Sequence, residues 1–216
     1  MTRETEALIR SVTELSSVPL VPEVRLHLLM PSSPLWQVTP DEANERGLKM
    51  PYWAFAWPGG QALARWVIDQ PLVVHSRRVL DVGSGGAIEA IAAKKAGAMT
   101  VVCADVDPVA SVAAQLNAVA NELRLETATL DVLTVEAGSL ECDVVLVGDL
   151  TFDEALTSRL LPWLRAHRAL GREVLVGDAG RVALPSDLEV VGEHLAPFDG
   201  NPHGSVDWRV LVRRLR

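Results

Sequence analysis

Along most of this chain, short apolar runs alternate with longer segments whose apolar positions recur every three or four residues. The short runs predict strands over 79–82, 100–104, 126–130, 143–147, 173–176, 188–194 and 206–212. The longer segments predict helices over 87–96, 108–121 and 153–167. Such alternation predicts an α/β fold, with a mostly parallel, Rossmann-like sheet and helices on both of its faces.

The order of the predicted elements also indicates how the sheet is completed. The last two predicted strands follow each other without a helix between them, which favours an antiparallel hairpin at one edge of the sheet. Pro108 suits the first turn of the second predicted helix, with Asp107 as its N-cap. In open α/β sheets, ligands bind beyond the carboxyl ends of the strands, so we expect functional residues there.

The first 50 residues have a different pattern. They predict a helix over 4–15 and a mixed apolar segment over 18–30, followed by a polar stretch. A further helix is predicted from Gly60, and Pro71 ends it. We therefore expect residues 1–50 to form an N-terminal extension that caps the substrate side of a main domain over 51–216.

Composition and charge narrow the class of protein. The 216 residues are 49% hydrophobic, which supplies a large core, and the formal net charge is −8. A negative chain disfavours binding to nucleic acid, which needs a basic surface. No apolar stretch is long enough to cross a membrane, and the N-terminus lacks the apolar segment of a signal peptide. We therefore expect a cytoplasmic protein whose partners include neither nucleic acid nor a membrane.

The two cysteines, Cys103 and Cys142, each lie in an apolar run, so both are expected to be buried thiols of strands. Two cysteines so far apart build neither a disulfide framework nor a zinc site. The five histidines show no spacing typical of metal ligands. The sequence therefore predicts no metal site.

The turn after the first strand of the predicted sheet, in the segment RRVLDVGSGG, is the strongest candidate for chemistry. Gly83 and Gly85 let the backbone approach a ligand closely, and Asp81 lies two residues before the first of them. A dinucleotide would place its pyrophosphate here, where the carboxylates of Asp81 and Glu89 would repel it. Ile88 also stands where a dinucleotide-binding loop has its third glycine. A ligand with a positive amine and no phosphate fits better, and S-adenosylmethionine is such a ligand.

Two further acids follow later strands. Asp105 ends the second strand of the predicted sheet, where a carboxylate is placed to accept both ribose hydroxyls of an adenosine. Asp131 follows the third strand. It fits either an acceptor for the adenine amino group, with the Val132 N–H reaching the ring, or an ordinary turn residue. Both interpretations of Asp131 stay open.

Asp149 follows the fourth predicted strand, at the mouth of the sheet, where a reacting methyl group would lie. Its neighbours Asp153 and Glu154 have a simpler explanation, because acids in the first turn of a helix interact favourably with its dipole. Asp149 lies too far before the helix for that, so we expect it to be functional. Trp57, in the aromatic segment PYWAFAWPGG, precedes the glycine turn closely enough to cover it. Its ring would attract a sulfonium or methylammonium group.

Together these segments resemble the class I S-adenosylmethionine methyltransferases, and in particular the electron transfer flavoprotein β-subunit lysine methyltransferase family. The matching segments, in order, are PYWAFAWPGGQAL, VLDVGSGGAIEAIAAKKAGA, ADVDPVASVAAQLN, VVLVGDLTFDEAL and VLVGDAGR. They run over about residues 51–181. WPGGQAL and GDAGR are the specific segments, whereas the glycine turn and DVDP occur across many methyltransferases.

The resemblance implies a seven-stranded sheet whose two final strands are antiparallel, in agreement with the pattern above. It implies that S-adenosyl-L-methionine binds and leaves as S-adenosyl-L-homocysteine. The cofactor ligands that it implies are Asp81, Gly83, Gly85 and Asp105. The family's acid-x-x-aromatic motif falls on Asp149 and Phe152, the pair expected to handle a lysine. The chain departs from the family at Ala87, where relatives often keep glycine, and at Phe152, where they often have tyrosine.

The function that the resemblance implies is protein-lysine N-methylation, with the electron transfer flavoprotein β-subunit as the protein substrate. Three alternatives stay open. One is a methyltransferase that acts on another protein, such as a ribosomal protein, or on a small amine. Another is a cofactor-binding module without catalysis, which the retained acids and Asp149 disfavour. The last is a dehydrogenase.

Overall fold

The chain begins with a helix and a hairpin, in a computed structural model that describes residues 2–33, 36, 50–198 and 206–216. Helix α1 spans Thr2–Val12, and strands β1 (Thr13–Val18) and β2 (Val21–Leu29) pair antiparallel as a separate two-stranded sheet. The helix predicted over 4–15 is therefore wrong at its end. The Thr13 hydroxyl donates to the carbonyl of Ile9 (2.6 Å), and the backbone then pairs with β2. Most of the polar stretch lies outside the described residues.

Seven strands form the main sheet. In chain order the elements are α2 (Pro58–Asp69), β3 (Arg78–Val82), α3 (Ile88–Lys95), β4 (Thr100–Asp105), α4 (Pro108–Ala120), β5 (Glu126–Thr129), β6 (Val144–Gly148), α5 (Glu154–Ala169), β7 (Glu173–Asp178), β8 (Leu188–Phe198) and β9 (Val206–Leu215). The strand order is β5-β4-β3-β6-β7-β9-β8. The first five strands in this order are parallel, and β9 is antiparallel to both of its neighbours. The predicted α/β class and the antiparallel edge hairpin are confirmed.

The central strands are apolar on both sides, so both faces of the sheet are covered. In β6, Val144 and Leu146 pack towards α2 and α3, whereas Val145 and Val147 pack towards α5. All four side chains are 0% exposed. Burying each of them contributes roughly 1.5–3 kcal/mol. This core holds the carboxyl end of β6 rigidly at the edge where ligands bind.

The N-terminal hairpin is joined to the turn that follows β3. Leu26 of β2 packs against Ile88 of α3. The Asn117 side chain of α4 accepts a hydrogen bond from the His27 N–H (2.7 Å) and donates one to the carbonyl of Gly86 (2.9 Å). Strand β2 of the hairpin therefore lies beside the glycine turn. That residues 1–50 cap the substrate side stays a prediction.

Two smaller expectations concern membranes and thiols. Among the helices that the structure describes, none is long and apolar enough to cross a membrane. Cys103 and Cys142 are buried and free, as predicted. Cys103 belongs to β4, whereas Cys142 precedes β6 and was wrongly assigned to a strand.

Candidate functional site

A cleft lies beyond the carboxyl ends of β3 and β6. Because β4 and β6 flank β3 on opposite sides, the connections diverge at this point of the sheet, which is where ligands bind in such folds. The lining residues are Leu26, Phe55, Trp57, Gly60, Gly83, Ser84, Gly85, Gly86, Ile88, Glu89, Gly148 and Asp149. Four separate parts of the chain therefore build one site.

The glycine turn after β3 has its backbone donors largely occupied. Gly83 (φ 65°) and Gly85 (φ 47°) adopt the left-handed conformations that glycine allows. The N–H groups of Gly83 and Ser84 both donate to the carbonyl of Ala104 (2.8 and 3.2 Å). The Gly85 N–H donates to the Asp105 carboxylate (2.8 Å). Since a pyrophosphate site requires free N–H groups, this turn does not fit a dinucleotide.

Asp105 lies beside this turn, at the end of β4. One carboxylate oxygen accepts from Gly85, and the other accepts from the Asp107 N–H (2.9 Å). Burial raises the pKa of Asp105 above its usual range. Each oxygen keeps a second lone pair, so the orientation is fixed while acceptor capacity remains. This geometry fits the predicted ribose contacts, which stay a prediction.

Asp81 lies behind the cleft rather than on its lining. Its side chain is 0% exposed, and one oxygen accepts from the Ala90 N–H (3.2 Å). The other oxygen has no hydrogen-bond partner among the described residues. Burial raises the pKa of Asp81 to about 7. The acids that face a ligand in this arrangement are Glu89 and Asp149, and a direct contact from Asp81 stays a prediction.

The raised pKa of Asp81 predicts how stability depends on pH. The folded pKa is about 7, whereas an unfolded aspartate titrates near pH 4. The folded protein holds this proton between about pH 4 and pH 7, so this group's contribution to the free energy of unfolding falls as the pH rises through that window. In Asp81→Asn, the free energy of unfolding measured with urea should therefore decline less steeply between about pH 4 and pH 7 than in the wild type. An equally steep decline in both proteins would contradict the raised pKa of Asp81.

Asp149 is held in place from two sides. One oxygen accepts from the Gly60 N–H (2.9 Å) at the N-terminus of α2, and the other pairs with Arg181 (3.2 Å). The residue has φ 54°, a left-handed conformation that aspartate tolerates better than most residues. Burial raises its pKa to about 6, against the opposing effects of Arg181 and of the N–H groups of Gly60 and Gly59. The carboxylate is therefore fixed where it lines the cleft.

Arg181 is a functional candidate that the sequence analysis missed. Its guanidinium carbon lies 5.8 Å from the centroid of the Trp57 ring and 5.0 Å from that of Trp208, so the Asp149 partner is itself held by aromatic rings. A signal for it was present. The sequence Val-Gly-Asp occurs at the carboxyl ends of both β6 and β7, over 147–149 and 176–178, and Gly148 pairs with Gly177 in the sheet. The GDAGR segment therefore follows the strand next to Asp149.

The aromatic segment before α2 divides into core and site residues. The Trp57 ring lies on the cleft lining, stacked on Phe198 with ring centroids 5.0 Å apart, and its N–H donates to the carbonyl of Tyr52 (2.9 Å). Phe55 also lines the cleft, which the sequence analysis did not single out. Trp53 is buried in the N-terminal core. The cation–π role of Trp57 stays a prediction.

Asp131 and Val132 lie away from this lining. Asp131 caps a short 3₁₀ turn by accepting from the Leu133 N–H (3.0 Å), and it pairs with Arg159 at 3.7 Å. Val132 is buried in the core between the sheet and α5. These contacts favour the turn interpretation of Asp131, and the adenine contacts of both residues stay a prediction.

The two departures from the family pattern occupy different environments. Phe152 is 53% exposed and is absent from the cleft lining, so this conformation does not bring it together with Asp149. Its role with lysine stays a prediction. Ala87, the N-cap residue immediately before α3, has φ 66°, a conformation that costs a residue with a Cβ about 1–2 kcal/mol. Glycine would avoid this strain at position 87.

The side chains that line the cleft fit a ligand that is partly apolar and carries positive charge. Leu26, Phe55 and Ile88 supply an apolar wall, while Asp149 supplies negative charge. Glu89 supplies a second carboxyl group, and burial raises its pKa well above the usual range. The occupied N–H groups of the glycine turn offer little to a phosphate. Within the described ranges, no group of three or more His, Cys, Asp or Glu side chains could hold a metal ion. The residues therefore fit the two cationic groups of S-adenosylmethionine, which are its α-amine and its sulfonium.

Comparisons with known proteins agree with this geometry. A family model described as ribosomal protein L11 methyltransferase (PrmA) matches residues 65–150. The electron transfer flavoprotein beta subunit lysine methyltransferase of Xenopus laevis is 40% identical over 187 residues, 86% of this chain and 74% of that protein. The protein of the same name from Rattus norvegicus is 41% identical over 178 residues, 82% of this chain and 68% of that protein.

A solved structure shows the same architecture. A putative RNA methyltransferase from Pyrococcus horikoshii superimposes with a TM-score of 0.56 at 17% sequence identity. The match covers 77% of this chain and 88% of that chain. At this identity the likeness concerns the fold, which is that of a methyltransferase.

Proposed function

Because the chain belongs to the electron transfer flavoprotein β-subunit lysine methyltransferase family, we propose that it methylates lysine side chains of that β-subunit. By family and fold it is a class I S-adenosylmethionine-dependent methyltransferase. The observation that carries the proposal is the Asp149 carboxylate, fixed on the cleft lining beside the Trp57 ring. Buried negative charge next to an aromatic face is an environment that selects an alkylammonium group.

The residues of this chain handle the lysine by charge and orientation. At pH 7 a lysine amine carries a proton, because its pKa in water is about 10.4. Asp149 attracts this cation into the cleft, and the Trp57 ring adds cation–π attraction. Burial of the amine favours loss of its proton, whereas the nearby carboxylate opposes it. When bound, S-adenosylmethionine supplies the methyl group on a good leaving group, so positioning is the main task of the protein.

The cofactor is proposed to place its ribose on Asp105. Asp105→Ala removes the charged acceptor and the bond that fixes the Gly85 N–H, so it should weaken S-adenosylmethionine binding by about 1–3 kcal/mol. Isothermal titration calorimetry measures this directly. Asp107→Asn is the matched control, since asparagine caps α4 as well as aspartate does. Equal affinity of the Asp105 variant and the control would remove Asp105 from the ribose site.

A direct methylation assay tests the function. The purified β-subunit and purified ribosomal protein L11 are each incubated with the protein and labelled S-adenosylmethionine, and labelled lysines are located by mass spectrometry. L11 is the relevant rival because the L11 methyltransferase model matches residues 65–150. That match omits Arg181, which pairs with Asp149, and Trp57, whose ring lies against Arg181. Label on L11 in preference to the β-subunit would overturn the proposed substrate.

The kind of partner follows from charge. The formal net charge of −8 supports a protein acceptor rather than nucleic acid. A small amine as acceptor would appear in the same assay, run with a cell extract, as label outside the protein fraction. A cytoplasmic location is part of the proposal and rests on the sequence expectation.

A further inference from the structure

Glu89 is a buried acid that has no role in the proposed function. It lies in the first turn of α3, where its side chain is 5% exposed and lines the cleft. The other residues of this stretch of α3, from Ile88 to Ala93, are isoleucine and alanine. A carboxyl group at such a position is costly to bury without a cationic partner.

The backbone around Glu89 leaves a recess for its carboxyl group. A Cβ on Gly148 would overlap Oε1 of Glu89, and a Cβ on Gly60 would lie 3.0 Å from the same atom. Any side chain at position 148 would therefore displace the carboxyl group. The end of β6 and the start of α2 are shaped to hold an acid between them.

This acid lacks the partners that Asp149 has. Asp149 accepts from Gly60 and pairs with Arg181. Among the described residues no basic side chain faces Glu89; the charges that act on it are the carboxylates of Asp81 and Asp149, and the donor it meets is its own backbone N–H. A cation bound in the cleft, in addition to Arg181, would offset the repulsion between Glu89 and these two carboxylates.

We propose that the Glu89 carboxylate, together with Asp149, forms a subsite that binds a primary alkylammonium group. The inference rests on the proposed function, which supplies two such groups. They are the α-amine of the cofactor and the ε-amine of the acceptor lysine. Both carboxyl groups border Gly60, so one ammonium with three N–H donors can hydrogen-bond to both.

The first arm of the test measures binding without turnover. Glu89→Gln keeps the shape and removes the charge. S-adenosylhomocysteine carries the α-amine, whereas 5′-methylthioadenosine lacks the amino-acid tail. If the subsite holds the cofactor amine, the substitution weakens S-adenosylhomocysteine binding by about tenfold or more in calorimetry and leaves 5′-methylthioadenosine within about twofold. Glu154→Gln, at the exposed first turn of α5, controls for loss of a helix-dipole interaction.

The second arm measures the acceptor. If the subsite holds the lysine, Glu89→Gln leaves S-adenosylhomocysteine affinity unchanged and lowers kcat/KM for the β-subunit by about tenfold or more. A folded Glu89→Gln protein with both quantities within about twofold of wild type would overturn the proposal. A wild-type protein that methylates no lysine would overturn the proposed function instead, and the subsite would then stand or fall on the first arm.

Discussion

Asp149→Asn should lower the methylation turnover by about a hundredfold while leaving the affinity for 5′-methylthioadenosine, which lacks the amino-acid tail of the cofactor, nearly unchanged. A hundredfold loss corresponds to about 2.7 kcal/mol of transition-state stabilisation. The loss is expected because the carboxylate that holds the lysine becomes a neutral amide. The affinity for 5′-methylthioadenosine is expected to survive because the proposed ribose and adenosine contacts lie at the other side of the glycine turn, around Asp105.

The Asp149→Asn protein should fold normally. Asparagine tolerates the left-handed φ of 54° at this position, and its oxygen can still accept from the Gly60 N–H. The side chain of Arg181 loses an ion pair but keeps its contacts with Trp57 and Trp208. Any loss of activity therefore reports on the charge rather than on misfolding.

Asp153→Asn is the matched control for this experiment. Asp153 is an exposed N-cap of α5 close to Asp149 in sequence, and asparagine caps a helix equally well. Its turnover should stay within about twofold of wild type. Steady-state kinetics with the β-subunit, together with calorimetry of 5′-methylthioadenosine binding, separates turnover from binding of the adenosine group. Normal turnover by Asp149→Asn would remove this residue from the mechanism.

Gly177→Ala should destabilise the fold by about 3 kcal/mol or more. The added Cβ would overlap the carbonyl oxygen of Gly59 and lie 2.7 Å from its carbonyl carbon. Both are backbone atoms, so α2 must move away from β7 to make room. That movement also pulls the Gly60 N–H away from Asp149, so the methylation rate should fall together with stability.

Urea and thermal unfolding measure this effect, and a chain of this size should lose about 6–12 °C in melting temperature. Gly138→Ala is the matched control, because a Cβ at position 138 meets nothing within 4 Å. It should leave stability unchanged or raise it by up to about 1 kcal/mol. Equal stability of the two variants would show that α2 does not depend on this close approach.

The sequence predicted the main sheet well because its strands and helices carry strong local signals. Strand β6 is a run of four valines and leucines that is buried on both faces, and Pro108 after Asp107 marks the start of α4. The N-terminal hairpin was harder. Its first strand, TELSSV, has few apolar residues. This strand is held by pairing with β2 and by packing of Val18 against α3.

The candidate site was predictable where the acid follows a strand directly. Asp105 and Asp149 were singled out on this basis, and the structure places both at the carboxyl edge of the sheet. The burial of Asp81 was not predictable, because alternation along β3 does not tell which acid faces the ligand. Arg181 lies 32 residues from its partner Asp149. The repeated Val-Gly-Asp sequence indicates that GDAGR follows a neighbouring strand, but no local pattern indicates that Arg181 pairs with Asp149.

The sequence by itself therefore determined the fold class, the order of the strands along the chain and the edge at which acids collect, since these depend on local periodicity and on the rules of parallel sheets. Only the tertiary structure decided which acids face the cleft. Burial placed Asp81 behind it, and the close approach of Gly60 and Gly148 opened a recess for Glu89. The physical reason is that exposure and ion pairing depend on distances between residues remote in the chain, which a linear pattern does not contain.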